Sequence, residues 1–263
     1  MNFELSEEQK MIQQNVERFV QDNYDLPKRV ELSSQGPGYS KDYWNSMAEL
    51  GWLGLPFNEE DGGFGGNQID TLVIMEQFGK GLVLEPFLAN VVLGGGAIQM
   101  GGSEELKNEM LSSLIEGSKQ LTLAYAEQQS RFDLEDVATS ARKEGEKYII
   151  NGQKSMVLNA ESADHLVVVT RTNGSQVDEE GITLFLVDSD SKGLERNNFP
   201  TVDGLRASEI TFDNVEVSSE RMLGDLDKGF TILRTIANNA ILALCAEAVG
   251  AMEVLYKDTV EYT

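Results

Sequence analysis

Side chains that commonly perform nucleophilic or metal-dependent chemistry are scarce in this sequence. It contains one cysteine, Cys245, and one histidine, His165. Cys245 lies in an apolar helical stretch, which favours a small buried side chain over a nucleophile. His165 precedes a run of apolar residues, so we expect it at the start of a strand. The sequence therefore offers little material for a Ser-His-Asp or Cys-His centre, or for a metal site of clustered His and Cys, and we assign no metal ligand.

The stretch from Leu121 to Asn159 carries the most distinctive pattern of the chain. It reads as an alternating strand, a polar loop closed by Asp133, a second strand and a hairpin turn, followed by the tetrapeptide Asn151-Gly152-Gln153-Lys154. We interpret this stretch as the place where the function, or the loss of a function, is encoded.

Length and composition indicate a globular protein. The chain has 263 residues, of which 41% are hydrophobic and 25% are charged. The net charge of −23 would repel a phosphate backbone, so we expect no nucleic-acid binding, and an anionic ligand such as coenzyme A would need local basic residues or helix N-termini. Continuous apolar runs fall short of the ~20 residues that span a bilayer, and the N-terminus does not read as a signal peptide. We therefore expect no membrane span and a cytoplasmic location.

Helical periodicity dominates residues 1–117. A capping box at Ser6 opens the first helix, and a second helix is predicted from about Ser40. Residues 23–38 contain Pro and Gly and are predicted as a loop, whereas residues 86–100 are apolar nearly all round and predict a buried helix. The glycines of residues 51–66 fit neither a dinucleotide loop nor a P-loop, so this stretch is predicted as a structural turn.

The hydrophobic period changes from helical to alternating near residue 118. Eight short alternating segments, separated by turn residues, predict a compact β-domain of sandwich or barrel type over residues 118–225. Residues 226–263 predict one long helix with no capping residue at its end and too much apolar surface to leave in water, which indicates the first helix of a truncated C-terminal helical domain. The predicted fold class is α+β, with a helical domain, a β-domain and the start of a helical bundle.

Several short segments, taken together, resemble the acyl-CoA dehydrogenase family. They occur in the family's order and spacing and cover the whole chain; they are Leu5-Ser6-Glu7-Glu8-Gln9, Gly51-Trp52-Leu53-Gly54-Leu55-Pro56, Asp61-Gly62-Gly63, Asn151-Gly152-Gln153-Lys154 with Asn159, Phe212-Asp213-Asn214-Val215-Glu216-Val217, Leu223-Gly224 and Ala248-Val249-Gly250. The resemblance implies FAD as cofactor and an acyl-CoA thioester as substrate. It further implies oxidation to the 2,3-enoyl-CoA, in which a carboxylate removes the α-proton and the β-hydrogen leaves as hydride. An electron-transferring flavoprotein would accept the electrons.

The resemblance also implies where FAD is held. In the family, the flavin lies against the loop that follows the first strand of the β-domain and against the strand that contains the Asn-Gly-x-Lys segment. The matching cofactor-binding positions in this chain are Tyr125, Ala126, Glu127, Arg131, Phe132, Met156 and Leu158.

Most of these positions differ from the family pattern. Glu127 is retained, but Ala126 replaces a threonine, and Arg131 and Phe132 replace a glycine and a serine that approach phosphate closely. Met156 and Leu158 replace a stacking aromatic and a threonine that forms a hydrogen bond near flavin N5. Ile241 is aligned with an arginine that many members use near the substrate. The family's catalytic glutamate would lie beyond residue 263, so we assign no catalytic residue in this chain.

Four segments favour a narrower resemblance, to the small subunit of pimeloyl-CoA dehydrogenase and its relatives. They are Glu85-Pro86-Phe87-Leu88, Gln129-Ser130-Arg131-Phe132-Asp133-Leu134, Lys154-Ser155-Met156-Val157-Leu158 and Cys245-Ala246-Glu247-Ala248-Val249-Gly250. This resemblance implies a homo- or hetero-oligomer with another acyl-CoA dehydrogenase subunit and a dicarboxylic acyl group. Two alternatives stay open: a non-catalytic scaffold subunit that does not bind FAD alone, and an oxidase or flavin monooxygenase on the same fold. For Arg131, pairing with an anionic ligand and pairing with Asp133 or Glu135 at the surface are equally compatible with the sequence.

Overall fold

Helices, then strands, then one long helix follow each other along the chain. The computed structural model describes residues 4–263. The helices of the first part are α1 (Glu7–Asn23), α2 (Leu26–Ser34), α3 (Lys41–Glu49), α4 (Gln68–Gly81), a π-helical stretch at Leu88–Gly95 that continues into α5 (Gly96–Gly101), and α6 (Glu104–Ile115). The predicted capping box is present, because Ser6 Oγ accepts from the Gln9 N–H and Gln9 Oε1 accepts from the Ser6 N–H.

The predicted loop over residues 23–38 is wrong, because this segment contains α2. The side chain of Asp25 caps the helix by accepting a hydrogen bond of 2.7 Å from the Lys28 N–H. Pro27 lies in the first turn, where its missing N–H costs no hydrogen bond within the helix. A proline that was interpreted as a helix breaker is therefore part of a helix start.

The glycine-rich stretch over residues 51–66 forms turns, as predicted. It contains two short 3-10 turns, at Trp52–Gly54 and Glu59–Asp61. A Cβ atom at Gly63 would lie 2.3 Å from the carbonyl oxygen of Phe57, so the backbone is too close there for any other residue. This glycine permits a close backbone approach, which is a structural role.

Eight strands form the β-domain between the helical parts. They are β1 (Leu121–Ala124), β2 (Ser140–Glu144), β3 (Lys147–Leu158), β4 (His165–Arg171), β5 (Ile182–Asp188), β6 (Leu194–Pro200), β7 (Arg206–Ser218) and β8 (Met222–Leu223). Their order is β6-β7-β3-β2-β4-β5-β8, and β1 pairs with β4 in parallel. Strands β2 and β4 share only the pair Ser140–Arg171, so the sheet has two halves that enclose one apolar core. The α+β prediction with a central β-domain is confirmed.

Helix α7 (Phe230–Tyr262) packs across α4 through glycines. A Cβ atom at Gly79 would lie 1.9 Å from the carbonyl oxygen of Glu247, and one at Gly250 would lie 1.9 Å from that of Glu76. Cys245, on the same helix, is exposed, so the prediction of a buried cysteine is wrong. The buried residues of α7 follow helical spacing and are Phe230, Leu233, Ile236, Ala240, Ala243 and Gly250.

Helix α7 also qualifies the expectation about membrane spans. Its 33 residues are long and apolar enough to cross a bilayer by length and composition, although its apolar residues do not form one continuous run. Core helices of globular domains meet the same criterion but are mostly buried. Helix α7 packs against α4, yet only 17% of its apolar window is buried.

Candidate functional site

A buried ion pair lies where β1 leads into the loop before β2. The ammonium group of Lys154 lies 2.6 Å from Glu127 Oε1 and donates a second hydrogen bond, of 3.1 Å, to the carbonyl oxygen of Tyr125. The side chain of Lys154 is fully buried and that of Glu127 is 3% exposed. Lys154, the last residue of the Asn-Gly-Gln-Lys segment, thus links β3 to the end of β1.

Glu127 joins the two ends of the loop from Glu127 to Asp136, which we call the 127–136 loop. Its carboxylate accepts hydrogen bonds from the backbone N–H groups of Ala138, at 2.9 Å, and Thr139, at 3.0 Å. Strand β2 begins at Ser140, directly after these two residues.

The protonation of this pair follows from its surroundings. Burial alone would raise the pKa of the Glu127 carboxyl, but Lys154 and the surrounding hydrogen bonds outweigh burial and lower the pKa below its usual range. Burial lowers the pKa of the Lys154 ammonium to about 8, against the opposing effect of Glu127. Glu127 was predicted as a cofactor ligand; the structure directs its carboxylate to the protein's own donors.

Arg171 fixes the far end of the 127–136 loop and was not predicted. Its guanidinium donates to the carbonyl oxygen of Glu135 at 2.8 Å and also lies 3.5 Å from that of Val137. It further donates to three carbonyl oxygens of the turn after β4, those of Gln176, Asp178 and Glu180. A single arginine at the end of an apolar strand is the only sequence signal for this role.

The tip of the 127–136 loop is exposed. Arg131 has a left-handed backbone with φ of 49°, a conformation that favours the glycine of the family pattern. The side chain of Phe132 is 96% exposed. Within residues 4–263, Arg131 forms no ion pair with Asp133 or Glu135, so its guanidinium is available to a ligand.

Tyr125, Ala126, Met156 and Leu158 are brought together by β1 and the irregular end of β3. The Ser155 N–H donates a hydrogen bond of 2.8 Å to the carbonyl oxygen of Ala126. Met156 lies in a bulge between Lys154 and Val157, with φ of 51°. The side chains of Tyr125 and Met156 are exposed and that of Leu158 is half-buried.

The surface formed by Tyr125, Ala126, Met156 and Leu158 suits contact with a flat aromatic ring system. Exposed aromatic and thioether side chains on a rigid sheet provide an apolar surface for such a ring. Ala126, Met156 and Leu158 contribute no side-chain hydrogen-bond donor, so polar contacts to a ring here would come from the backbone or from Tyr125. The exposed guanidinium of Arg131 is suited to a phosphate group.

A pocket of about 200 Å³ lies beside Leu158, between α4, the segment before the π-helical stretch and α7. Its wall is formed by apolar side chains such as Phe78 and Leu244, together with the carboxyl groups of Glu85 and Glu247. The volume is below the roughly 300–1,000 Å³ of pockets that enclose a whole small-molecule ligand. It suits one part of a ligand, such as a short acyl chain.

His165 begins β4, as predicted, and its buried side chain contacts Asp188 and Lys119. Its Nδ1 lies 2.8 Å from Asp188 Oδ1, and its Nε2 lies 3.4 Å from the ammonium group of Lys119. Across the described residues 4–263, no group of three or more His, Cys, Asp and Glu side chains is placed to hold a metal ion.

Comparison with known proteins gives one consistent result. Residues 6–118 match the family model "Acyl-CoA dehydrogenase, N-terminal domain" and residues 122–215 match "Acyl-CoA dehydrogenase, middle domain". The probable acyl-CoA dehydrogenase YngJ of Bacillus subtilis is 31% identical over 268 residues, which are 100% of this chain and 70% of YngJ. CarC, a subunit of the caffeyl-CoA reductase-Etf complex of Acetobacterium woodii, is 26% identical over 98% of this chain and 69% of CarC.

Solved structures show the same fold. The FAD complex of PigA superposes with a TM-score of 0.90 at 26% identity, and the match covers 100% of this chain and 70% of PigA. Three findings agree. The two family models together cover most of the chain, one relative is more than 30% identical, and the fold matches. The chain belongs to the acyl-CoA dehydrogenase family of FAD-dependent oxidoreductases.

Proposed function

We propose that this chain is a subunit of an FAD-dependent acyl-CoA dehydrogenase and contributes to both the flavin site and the acyl pocket. The observation that carries the proposal is the position of Leu158, which links the exposed apolar surface of Tyr125 and Met156 to the pocket between α4 and α7. Bound FAD would supply the hydride acceptor for the β-hydrogen of the acyl group.

The protein's own residues would hold the reactants in place. Lys154, Glu127 and Arg171 fix both ends of the 127–136 loop, so the surface of Tyr125 and Met156 is rigid before a ligand arrives. The apolar wall at Leu158 and Leu244 would exclude water from the acyl chain. We assign no residue of this chain as the base.

Partners and substrate follow from the relatives as proposals. The chain would act on an acyl-CoA in a homo- or hetero-oligomer with another acyl-CoA dehydrogenase subunit, in the cytoplasm, and pass electrons to an electron-transferring flavoprotein. CarC, as a named subunit of a reductase-Etf complex, supports the last point. A dicarboxylic acyl group such as pimeloyl is the alternative that the narrower resemblance implies. It would need a cation at its end, and Arg131, which is exposed but does not line the pocket, is the candidate for that role.

Flavin reduction under anaerobic conditions tests the proposal. The chain, in the oligomer that it forms in its source cells, is loaded with FAD and mixed with acyl-CoA thioesters of several lengths. We expect loss of the oxidised-flavin absorbance with at least one thioester and formation of the 2,3-enoyl-CoA. A loaded oligomer whose flavin stays oxidised with every thioester would contradict the proposal.

The scaffold alternative is favoured by the residues at the loop tip and in the β3 bulge. Arg131, Phe132, Met156 and Leu158 all differ from the family residues that touch FAD, and the first and third also hold left-handed backbones. A variant with Arg131→Gly and Phe132→Ser restores the family loop. If only this variant binds FAD, the natural chain serves as a scaffold; equal binding by both chains would exclude that role.

A further inference from the structure

The pocket between α4 and α7 carries more negative than positive side chains. Its charged lining consists of Glu85, Asp203 and Glu247 against one basic residue, Arg206. The remaining wall is largely apolar and includes Leu158 and Leu244. An acyl chain that enters beside Leu158 would therefore meet carboxyl groups as well as aliphatic side chains.

The basic residue of the pocket is engaged with groups outside it. Arg206 Nη2 donates a hydrogen bond of 3.0 Å to the carbonyl oxygen of Ser33, and its Nε lies 4.0 Å from the carboxylate of Glu161. Arg206 is therefore held by the carbonyl oxygen of Ser33 and by the carboxylate of Glu161, which does not line the pocket. Within residues 4–263, it forms no ion pair with the three acidic side chains of the pocket.

Glu85 has a structural role. Glu85 is buried, with 5% of its surface exposed. Its Oε1 accepts a hydrogen bond of 3.1 Å from the Ser40 N–H, and its Oε2 accepts one from the hydroxyl of Tyr24. Both oxygens therefore have partners that join α1 and the start of α3 to the pocket wall.

Glu247 differs from Glu85 because its carboxyl group has no hydrogen-bond or ion-pair partner within residues 4–263. It lies one turn beyond Leu244 on the same helix, and both line the pocket. Burial, and then the nearby carboxylate of Asp203, raise the pKa of the Glu247 carboxyl. A partly buried carboxyl without a partner is costly unless a ligand supplies a donor.

We propose that the pocket selects acyl groups whose far end carries an ammonium group, and that Glu247 is the residue that receives it. The inference rests on the proposed function, since it takes this pocket as the acyl site. An ammonium group would give Glu247 the donor and the opposite charge that the protein does not provide. A terminal carboxylate would add a further negative charge beside Glu247 and Asp203, so dicarboxylic acyl groups would be rejected.

Calorimetric titration with four CoA thioesters of equal chain length tests this specificity without turnover. The probes are hexanoyl-CoA, ω-hydroxyhexanoyl-CoA, ω-aminohexanoyl-CoA and adipoyl-CoA. We expect ω-aminohexanoyl-CoA to bind about tenfold more tightly than hexanoyl-CoA, and adipoyl-CoA about tenfold more weakly. Glu247→Gln should remove the preference for the amine, whereas Glu261→Gln, an exposed glutamate on the same helix, should retain it.

Each outcome separates the inference from the proposed function. Equal or weaker binding of the amine than of hexanoyl-CoA would overturn the inference and leave the acyl-CoA site standing. Binding of none of the four thioesters would contradict the proposed function itself. If Glu247→Gln keeps the ranking of affinities but stops flavin reduction, Glu247 acts on the reacting carbon and the specificity assignment is wrong.

Discussion

Replacing Lys154 by methionine removes the positive charge from the buried pair while keeping an unbranched side chain of similar length. Glu127 then keeps the backbone donors of Ala138 and Thr139 but loses the ammonium group that contacts it, and its side chain is 3% exposed. Breaking a buried ion pair from one side costs about 3–5 kcal/mol, which is a large part of the roughly 5–15 kcal/mol that stabilises a typical domain. We expect Lys154→Met to lower the free energy of unfolding by that amount.

Lys147 provides a matched control on the same strand. Its ammonium group lies 2.7 Å from Glu216 Oε1, but the two side chains are 42% and 63% exposed. Lys147→Met removes the same charge by the same substitution, and solvent screening limits the expected loss to less than about 1 kcal/mol.

Urea unfolding followed by circular dichroism measures both changes. In a double-mutant cycle, Glu127→Gln combined with Lys154→Met should be less destabilising than the sum of the single changes, because no buried charge is left unpaired. If Lys154→Met costs no more than Lys147→Met, or if the two changes at the buried pair are additive, the interpretation of this pair as the anchor of the 127–136 loop is refuted.

Three further predictions concern the loop, the helix contact and the pocket. Arg171→Met should lower the free energy of unfolding by about 3 kcal/mol, measured by urea titration, because several carbonyl oxygens lose their donor. Gly79→Ala places a Cβ atom 1.9 Å from a carbonyl oxygen of α7 and should cost about 1–3 kcal/mol by the same assay, whereas Gly96→Ala, with no atom within 4 Å, should be neutral or stabilising. The affinity for ω-aminohexanoyl-CoA should rise as the pH rises through the raised pKa of the Glu247 carboxyl, because only the ionised carboxylate attracts the ammonium group. Calorimetry on Glu247→Gln should show no such dependence of affinity on pH.

Local patterns were sufficient to predict most of the fold. The Ser6 capping box, the strand start at His165 and the long helix that became α7 each depend on residues that are close in sequence. The loop prediction for residues 23–38 failed because Pro27 was interpreted without its cap, Asp25. The buried position predicted for Cys245 failed because an apolar helix as a whole does not reveal which face meets α4.

The candidate site was less predictable because its contacts are long-range. The resemblance to the family located Glu127 and Lys154 but could not show that they bind each other across 27 positions of sequence. Arg171 could not be recognised, since all its partners are backbone carbonyls that carry no residue-specific signal. The sequence shows that Arg131 and Met156 differ from the family pattern, but only the structure shows that both residues have left-handed backbones.

Equilibrium titration with FAD is the most direct test of the account, because the proposal requires a flavin at the surface formed by Tyr125 and Met156. The natural chain and a Met156→Glu variant are titrated in parallel, and quenching of flavin fluorescence is recorded. We predict saturable binding of one FAD per chain and an affinity at least about tenfold lower for the variant, because a carboxylate would be buried against the ring. Absence of binding by the natural chain, or equal binding by both proteins, would contradict this placement of the flavin.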